Sequence, residues 1–281
     1  MKRKLSTQLI VLLALLATSC APSKMFVRTE DAFQSRISKS ERVGIIDDVC
    51  LQMDALFKRN YVLLDDSKVA AVLMADEAKK SLELKGYSVD FISSPFVGSF
   101  LNPADSFRVA YEKGAEIKKI NPPFYFDDSL ATDKEYCNSL LDVFNEVYLI
   151  MAGNNEPIFS TNQDLRNRLQ VIANRTGDDK VLFVIGNGAI VPVVKSILEG
   201  VTIGLATALL TFGSFTYYFY DVSYMDSYLA LLDLHTGDLL WSNSMRLTDS
   251  DPSREQFYSH TWSENLLYYY PVKEGHVLEK Q

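Results

Sequence analysis

Apolar and polar positions alternate in several different rhythms along this chain of 281 residues. Arg42-Val43-Gly44-Ile45-Ile46-Asp47-Asp48-Val49-Cys50 is a short apolar run suited to a buried strand. Asp65-Asp66-Ser67 then offers N-cap chemistry. Val69, Val72, Leu73, Ala75 and Leu82 follow at helical spacing up to Gly86, which is placed to end a helix. Tyr87 to Ile92 alternates and predicts a second strand, completing a strand–helix–strand unit.

After a loop marked by Ser94-Pro95 and Asn102-Pro103, Phe107 to Ile120 reads as a helix stopped by Asn121-Pro122-Pro123. Tyr136, Leu140, Leu141, Phe144, Val147, Tyr148 and Met151 recur in steps of three and four, predicting an amphipathic helix. A shorter helix covers Gln163 to Asn174, and Gly177-Asp178-Asp179 turns the chain into a strand, Val181 to Ile185. The clearest hairpin joins Ser227–Asp233 to Asp238–Asn243 through His235-Thr236-Gly237, where glycine takes positive φ cheaply. Asp251-Pro252-Ser253 predicts the cap of a final helix running through Phe257, Trp262 and Leu266 to Tyr270. These elements predict an α/β fold: a mostly antiparallel or mixed sheet with flanking helices, in one domain over 41–281 with an apolar insertion at 188–220.

The N-terminus has a different pattern. Lys2-Arg3-Lys4 precedes an apolar run, Leu9 to Leu16, then the small residues Ala17-Thr18-Ser19 and Cys20. A cationic start, an apolar core and a small-residue cut site describe a secretory signal peptide over 1–19. Its apolar run is about half the ~20 residues of a lasting bilayer span. The cysteine after the small residues resembles the lipobox of bacterial lipoproteins, with Ala17 where leucine is usual. That resemblance implies a diacylglycerol on the Cys20 thiol and an acyl chain on its freed amine, with 20–40 as a polar tether. Ala21, in place of aspartate, implies the periplasmic face of the outer membrane.

Gly200 to Tyr220 contains no charge and is long enough to cross a bilayer. Three readings are open: a transmembrane helix, an insertion buried or facing a partner, and an element on a membrane surface or between copies of the chain. Leu205, Leu209, Phe212, Phe215 and Tyr218 are the residues expected to make any membrane or partner contact.

Composition narrows the function. Lys+Arg number 28 against 36 Asp+Glu, a net charge of −8, and cleavage after residue 19 makes the balance more acidic. An acidic chain without a basic stripe excludes the usual mode of nucleic-acid binding. His235, His260 and His276 share no metal-ligand spacing with each other or with cysteine, so no metal site is expected. Asp47-Asp48, Asp65-Asp66, Asp127-Asp128 and Asp178-Asp179 read as strand alternation or helix caps rather than as catalytic pairs. Gly186-Asn187-Gly188 lacks the third glycine of a dinucleotide loop. No Ser/His/Asp set is identifiable, so neither catalysis nor a cofactor is expected. Cys50 and Cys137 either pair in an oxidising compartment or remain as buried thiols. Tyr268-Tyr269-Tyr270 with Trp262 reads as a helix face on the sheet, the alternative being a glycan-stacking surface.

The segment Ala230-Leu231-Leu232-Asp233-Leu234-His235-Thr236-Gly237-Asp238-Leu239-Leu240-Trp241-Ser242, together with Leu266-Leu267 and Pro271, resembles the last hairpin and closing helix of a group of periplasmic lipoproteins. That group includes the curli-secretion channel lipoprotein, the lipoprotein activator of a penicillin-binding protein, and the N-terminal domain of the TolB protein. The resemblance implies an α/β sandwich and a non-enzymatic role in binding or assembly. The expected partners are membrane lipids through Cys20 and an envelope protein or a second copy of the chain. The alternative is a subunit of an outer-membrane secretion channel or pore.

Overall fold

Ten residues, Gly44–Met53 (β1), form the spine of a seven-stranded mixed sheet. The computed structural model describes residues 31–40, 42–54, 60–99, 101–102, 104–124, 127, 132–151, 159, 161–192, 222–248, 251–258 and 261–277. Its elements are α1 (Asp31–Ser38), β1, β2 (Tyr61–Leu63), α2 (Leu64–Leu84), β3 (Phe107–Ala110), β4 (Lys118–Ile120), α3 (Lys134–Met151) and α4 (Gln163–Thr176). They continue with β5 (Lys180–Ile190), β6 (Tyr224–Asp233), β7 (Leu239–Thr248), α5 (Glu255–Tyr258) and α6 (Thr261–Leu266).

The strand order is β4-β3-β2-β1-β5-β6-β7. β1 runs parallel to β5 from Gly44↔Val181 to Met53↔Ile190. β5 pairs antiparallel with β6 from Lys180↔Asp233 to Ala189↔Tyr224, and β6 with β7 in the expected hairpin. Helices cover both faces, so alternate side chains along the central strands enter two separate apolar layers. Ile45, Val49, Leu182, Val184 and Leu229 pack under α2 together with α1, α5 and α6. Ile46, Val181, Phe183, Ile185 and Leu232 pack under α3 and α4. In the second layer the rings of Phe144 and Phe183 meet edge to face at 5.3 Å, a contact that adds about 0.5–1.5 kcal/mol to the area it buries.

The α/β class holds, and four local expectations change. Residues 107–120 contain two short strands, with Phe107↔Ile120 paired, where the spacing predicts a helix. Residues 87–96 run parallel to β1 through isolated bridges, Arg42↔Ser88, Ile45↔Ile92 and Asp48↔Phe96, so the strand–helix–strand unit is present with an irregular last member. No side chain caps α2, whose N-cap is Leu63. Ser67 is instead buried, its hydroxyl donating to the Leu63 carbonyl and accepting from the Leu51 N–H. The expected final helix divides into α5 and α6, and Tyr268 to Tyr270 lie beyond its end.

Two boundaries also differ. α1 falls inside the stretch that reads as tether, with Ile37 fully buried. β5 includes residues 188–190, which the apolar pattern alone places in the insertion. Cys50 and Cys137 are buried in different apolar clusters and are not joined by a disulfide.

Candidate functional site

Cys20, the signal segment, His260 and the apolar residues Leu205, Leu209, Phe212, Phe215 and Tyr218 lie outside the described residues. The structure does describe the stem to which the apolar stretch is attached. β5 and β6 stay paired up to Ala189↔Tyr224, and the Val191 N–H donates to the Ser223 hydroxyl at 3.0 Å. On the neighbouring strand the Asp54 N–H donates to the Ile190 carbonyl at 3.0 Å. β5 therefore ends and β6 begins at the same end of the sheet, and main-chain pairing fixes both strand ends.

Aromatic and charged side chains surround this stem. The Arg246 guanidinium lies 4.7 Å from the Tyr224 ring centroid and forks onto the Asp226 carboxylate. Such a stacked cation contributes about 0.5–1 kcal/mol at an exposed site. Tyr148 of α3 and Tyr228 of β6 meet edge to face at 6.2 Å. Among the described residues no helix is long and apolar enough to cross a membrane.

Close packing accounts for Gly186 and Gly188. A Cβ at Gly186 would sit 3.1 Å from the sulfurs of Met225 and Met74, and one at Gly188 would sit 2.6 Å from the Tyr224 carbonyl oxygen. These glycines let β5 approach β6 and α2. Gly188→Ala is expected to spread the β5–β6 pair and to cost about 1–3 kcal/mol, measured by urea unfolding; an unchanged midpoint would contradict this packing argument.

The opposite end of the sheet carries the hairpin turn. Gly237 has φ +74°, which suits a residue without a Cβ. The Asp233 carboxylate accepts from the His235 and Thr236 N–H groups and from Arg36 at 2.7 Å. Arg36 also donates to Asp238 at 2.7 Å, so α1 is latched onto the turn. Burial pushes the Asp233 carboxyl up, but the Thr236 N–H and the Arg36 guanidinium hold it below its ordinary value. Asp179 meets His235 Nε2 at 2.8 Å on the surface.

The paired aspartates of β1 are buried on both sides of the sheet, each only 1 % exposed. Asp48 accepts from the Gly98 N–H, the Ser99 N–H and the Ser99 hydroxyl, which ties the loop after residue 96 to the sheet. Burial raises its pKa to about 6, partly offset by those donors. Asp47 faces α2, one carboxyl oxygen has no hydrogen-bond partner, and burial and then Asp48 push its pKa well above the carboxylate range. No group of three His, Cys, Asp or Glu side chains among the described residues could hold a metal ion.

Of the aromatic cluster near the C-terminus, Trp262 and Tyr270 are buried against the sheet. Tyr268 and Tyr269 are 69 % and 58 % exposed and lean on each other at 4.9 Å. The packed-face reading therefore holds for two of the four rings, and the sequence pattern does not distinguish the outward pair.

No family model matches the chain, and no curated protein matches it. Among solved structures the chain is similar to the PelC dodecamer from Paraburkholderia phytofirmans in two crystal forms. For one, which carries a point substitution, the TM-score is 0.30 at 9 % identity, covering 84 % of this chain and 91 % of that one. For the other the TM-score is 0.30 at 8 % identity, covering 84 % and 90 %.

Proposed function

We propose that the chain is an envelope lipoprotein, anchored through Cys20, that acts as a non-enzymatic binding or assembly factor. One observation carries the reading: Lys2-Arg3-Lys4, the apolar run, Ala17-Thr18-Ser19 and Cys20 follow one another in the order a lipid-anchored export signal requires. Two acyl chains on the diacylglycerol and a third on the amine would anchor stably, because each buried methylene adds about 0.8 kcal/mol and one chain alone is marginal. The uncharged stretch 200–220 is the segment proposed to contact a membrane or a partner, through Leu205, Leu209, Phe212, Phe215 and Tyr218. Its attachment by a paired two-strand stem supports this reading, since the stem fixes where the segment leaves the sheet.

Fractionation of wild type against Cys20→Ala tests the anchor. The wild-type chain is expected to remain in membranes after a high-salt wash, with a mature N-terminus carrying the mass of a diacylglycerol and an acyl group. The Ala variant is expected to be released. An unlipidated N-terminus at Cys20 would overturn the proposal. Retention of the Ala variant would transfer the anchoring role to 200–220.

A further inference from the structure

The outward pair Tyr268 and Tyr269 belongs to a larger surface. With Leu84 and Val277 they are the most exposed large apolar side chains among the described residues, at 58 % to 81 %. Main-chain contacts gather all four at the end of α2. The Lys85 ammonium donates to the Tyr268 carbonyl at 3.4 Å, and the Lys273 N–H donates to the Lys85 carbonyl at 3.0 Å. His276 Nε2 lies 3.0 Å from the Leu84 carbonyl, which seats the tail carrying Val277 against the helix end.

The same surface meets the chain where it arrives from its N-terminus. The Glu274 N–H donates to the Ser38 carbonyl at 2.8 Å, so the end of α1 abuts this tail. Ten residues lie between Cys20 and α1, a reach of about 40 Å at full stretch. α1 adds only about 12 Å. A lipid on Cys20 therefore keeps this end of the domain within reach of the bilayer. So short a tether raises the effective concentration of a weak contact to roughly millimolar.

Charge and area narrow the occupant. The whole chain has a net charge of −8, yet Lys39, Lys85 and Lys273 stand here against Glu83 and Glu274. Of those two acids, Glu83 is paired with Lys79 at 3.8 Å. Tyrosine, an apolar ring with a polar tip, suits the boundary between acyl chains and headgroups. Lysine can lay its stem on apolar surface and carry its ammonium to a phosphate. The four apolar side chains expose less than the roughly 800 Å² that each side of a stable protein interface buries. A covalently tethered contact with lipid needs no such area.

We propose that Leu84, Tyr268, Tyr269 and Val277, with Lys39, Lys85 and Lys273, dock on the phospholipid headgroups of the membrane that holds Cys20. This assignment rests on the reading of Cys20 as lipidated. It turns the α1 end of the domain towards the bilayer, and the paired ends of β5 and β6, at the other end of the sheet, away from it.

Fluorescence quenching tests it. The full-length protein is placed in vesicles of phosphatidylethanolamine and phosphatidylglycerol, with and without bromine on the acyl chains. Val277→Trp is the reporter, and the native Trp241 and Trp262, both fully buried, give a constant background. Tyr111→Trp is the control, an exposed site whose carbonyl accepts from the Asp65 N–H at the start of α2. It stands about 30 Å, one helix length, from the proposed surface. Quenching at 277 is expected to exceed that at 111 about twofold or more, as for a ring seated at the interface. Adding Tyr268→Ser and Tyr269→Ser should bring 277 down towards the control, with flotation on vesicles and melting temperature unchanged. Equal quenching at 277 and 111, or quenching at 277 that ignores the two tyrosines, overturns this surface and leaves the anchor standing. Failure of the wild type to float with the vesicles overturns the anchor and this surface together.

Discussion

Trp262→Ala is expected to lower the unfolding free energy by about 3–5 kcal/mol, the range for deleting a buried aromatic side chain. Trp262 is fully buried, contacts Tyr258 edge to face at 6.3 Å, and donates from Nε1 to the Ser227 hydroxyl at 2.9 Å. Ser227 is itself fully buried on β6, so the substitution leaves both a cavity and an unsatisfied hydroxyl. Trp262→Phe keeps most of the apolar burial but loses the bond, and should fall between Ala and wild type. Urea unfolding followed by far-ultraviolet circular dichroism measures all three. An Ala variant within about 1 kcal/mol of wild type, a margin small beside that cavity cost, would show that α6 contributes little to the core.

The second large effect is a dependence on pH set by Asp47 and Asp48. The Asp48 carboxyl titrates at about 6 in the folded chain against an ordinary 3.8. Between those values the folded state holds a proton that the unfolded state has released, so stability falls as pH rises. A gap of roughly two pH units at about 1.4 kcal/mol each makes about 3 kcal/mol for this residue. Asp47 acts in the same direction. Below pH ~4 the sign reverses, because Asp233 and Asp251 are held below their ordinary values and lose their partners on protonation. Unfolding midpoints are therefore expected to be highest near pH ~4 and to decline towards neutral pH. Asp47→Asn should flatten the decline, since one of its carboxyl oxygens has no donor to lose. A midpoint that rose steadily over the same interval would refute the assignment.

These two aspartates also mark the limit of what was legible in the sequence. Adjacent carboxylates on a strand suggest one side chain in and one out, because successive side chains point to opposite faces. β1, however, is covered by helices on both faces, so both are buried. Where one rhythm extended over a whole element, as in α3, α4 and the β6–β7 hairpin, the pattern was sufficient. β2 is only three residues long, too short for a period to register. β3 and β4 are short strands in which Arg108, Lys118 and Lys119 interrupt the apolar alternation, so helical spacing appeared to fit. Glu135, Ser139, Asp142 and Glu146 of α3 read in the sequence as one solvated face, yet Ser139 and Glu146 are buried while Glu135 and Asp142 stay exposed. Sequence patterning reports one element at a time, and burial is decided between elements.

The parallel pairing of β1 with β5 also constrains the order of assembly. β1 ends at Met53, and its parallel mate does not begin until Lys180. At about 5–20 residues per second, synthesis of the intervening chain takes on the order of ten seconds. During that interval one edge of β1 has β2 and the irregular 87–96 segment beside it, while the edge that receives β5 stays unpaired. The nascent chain thus passes through a stage with an adhesive open edge. A companion that shields residues 44–53 would raise the yield of folded protein without changing its final stability.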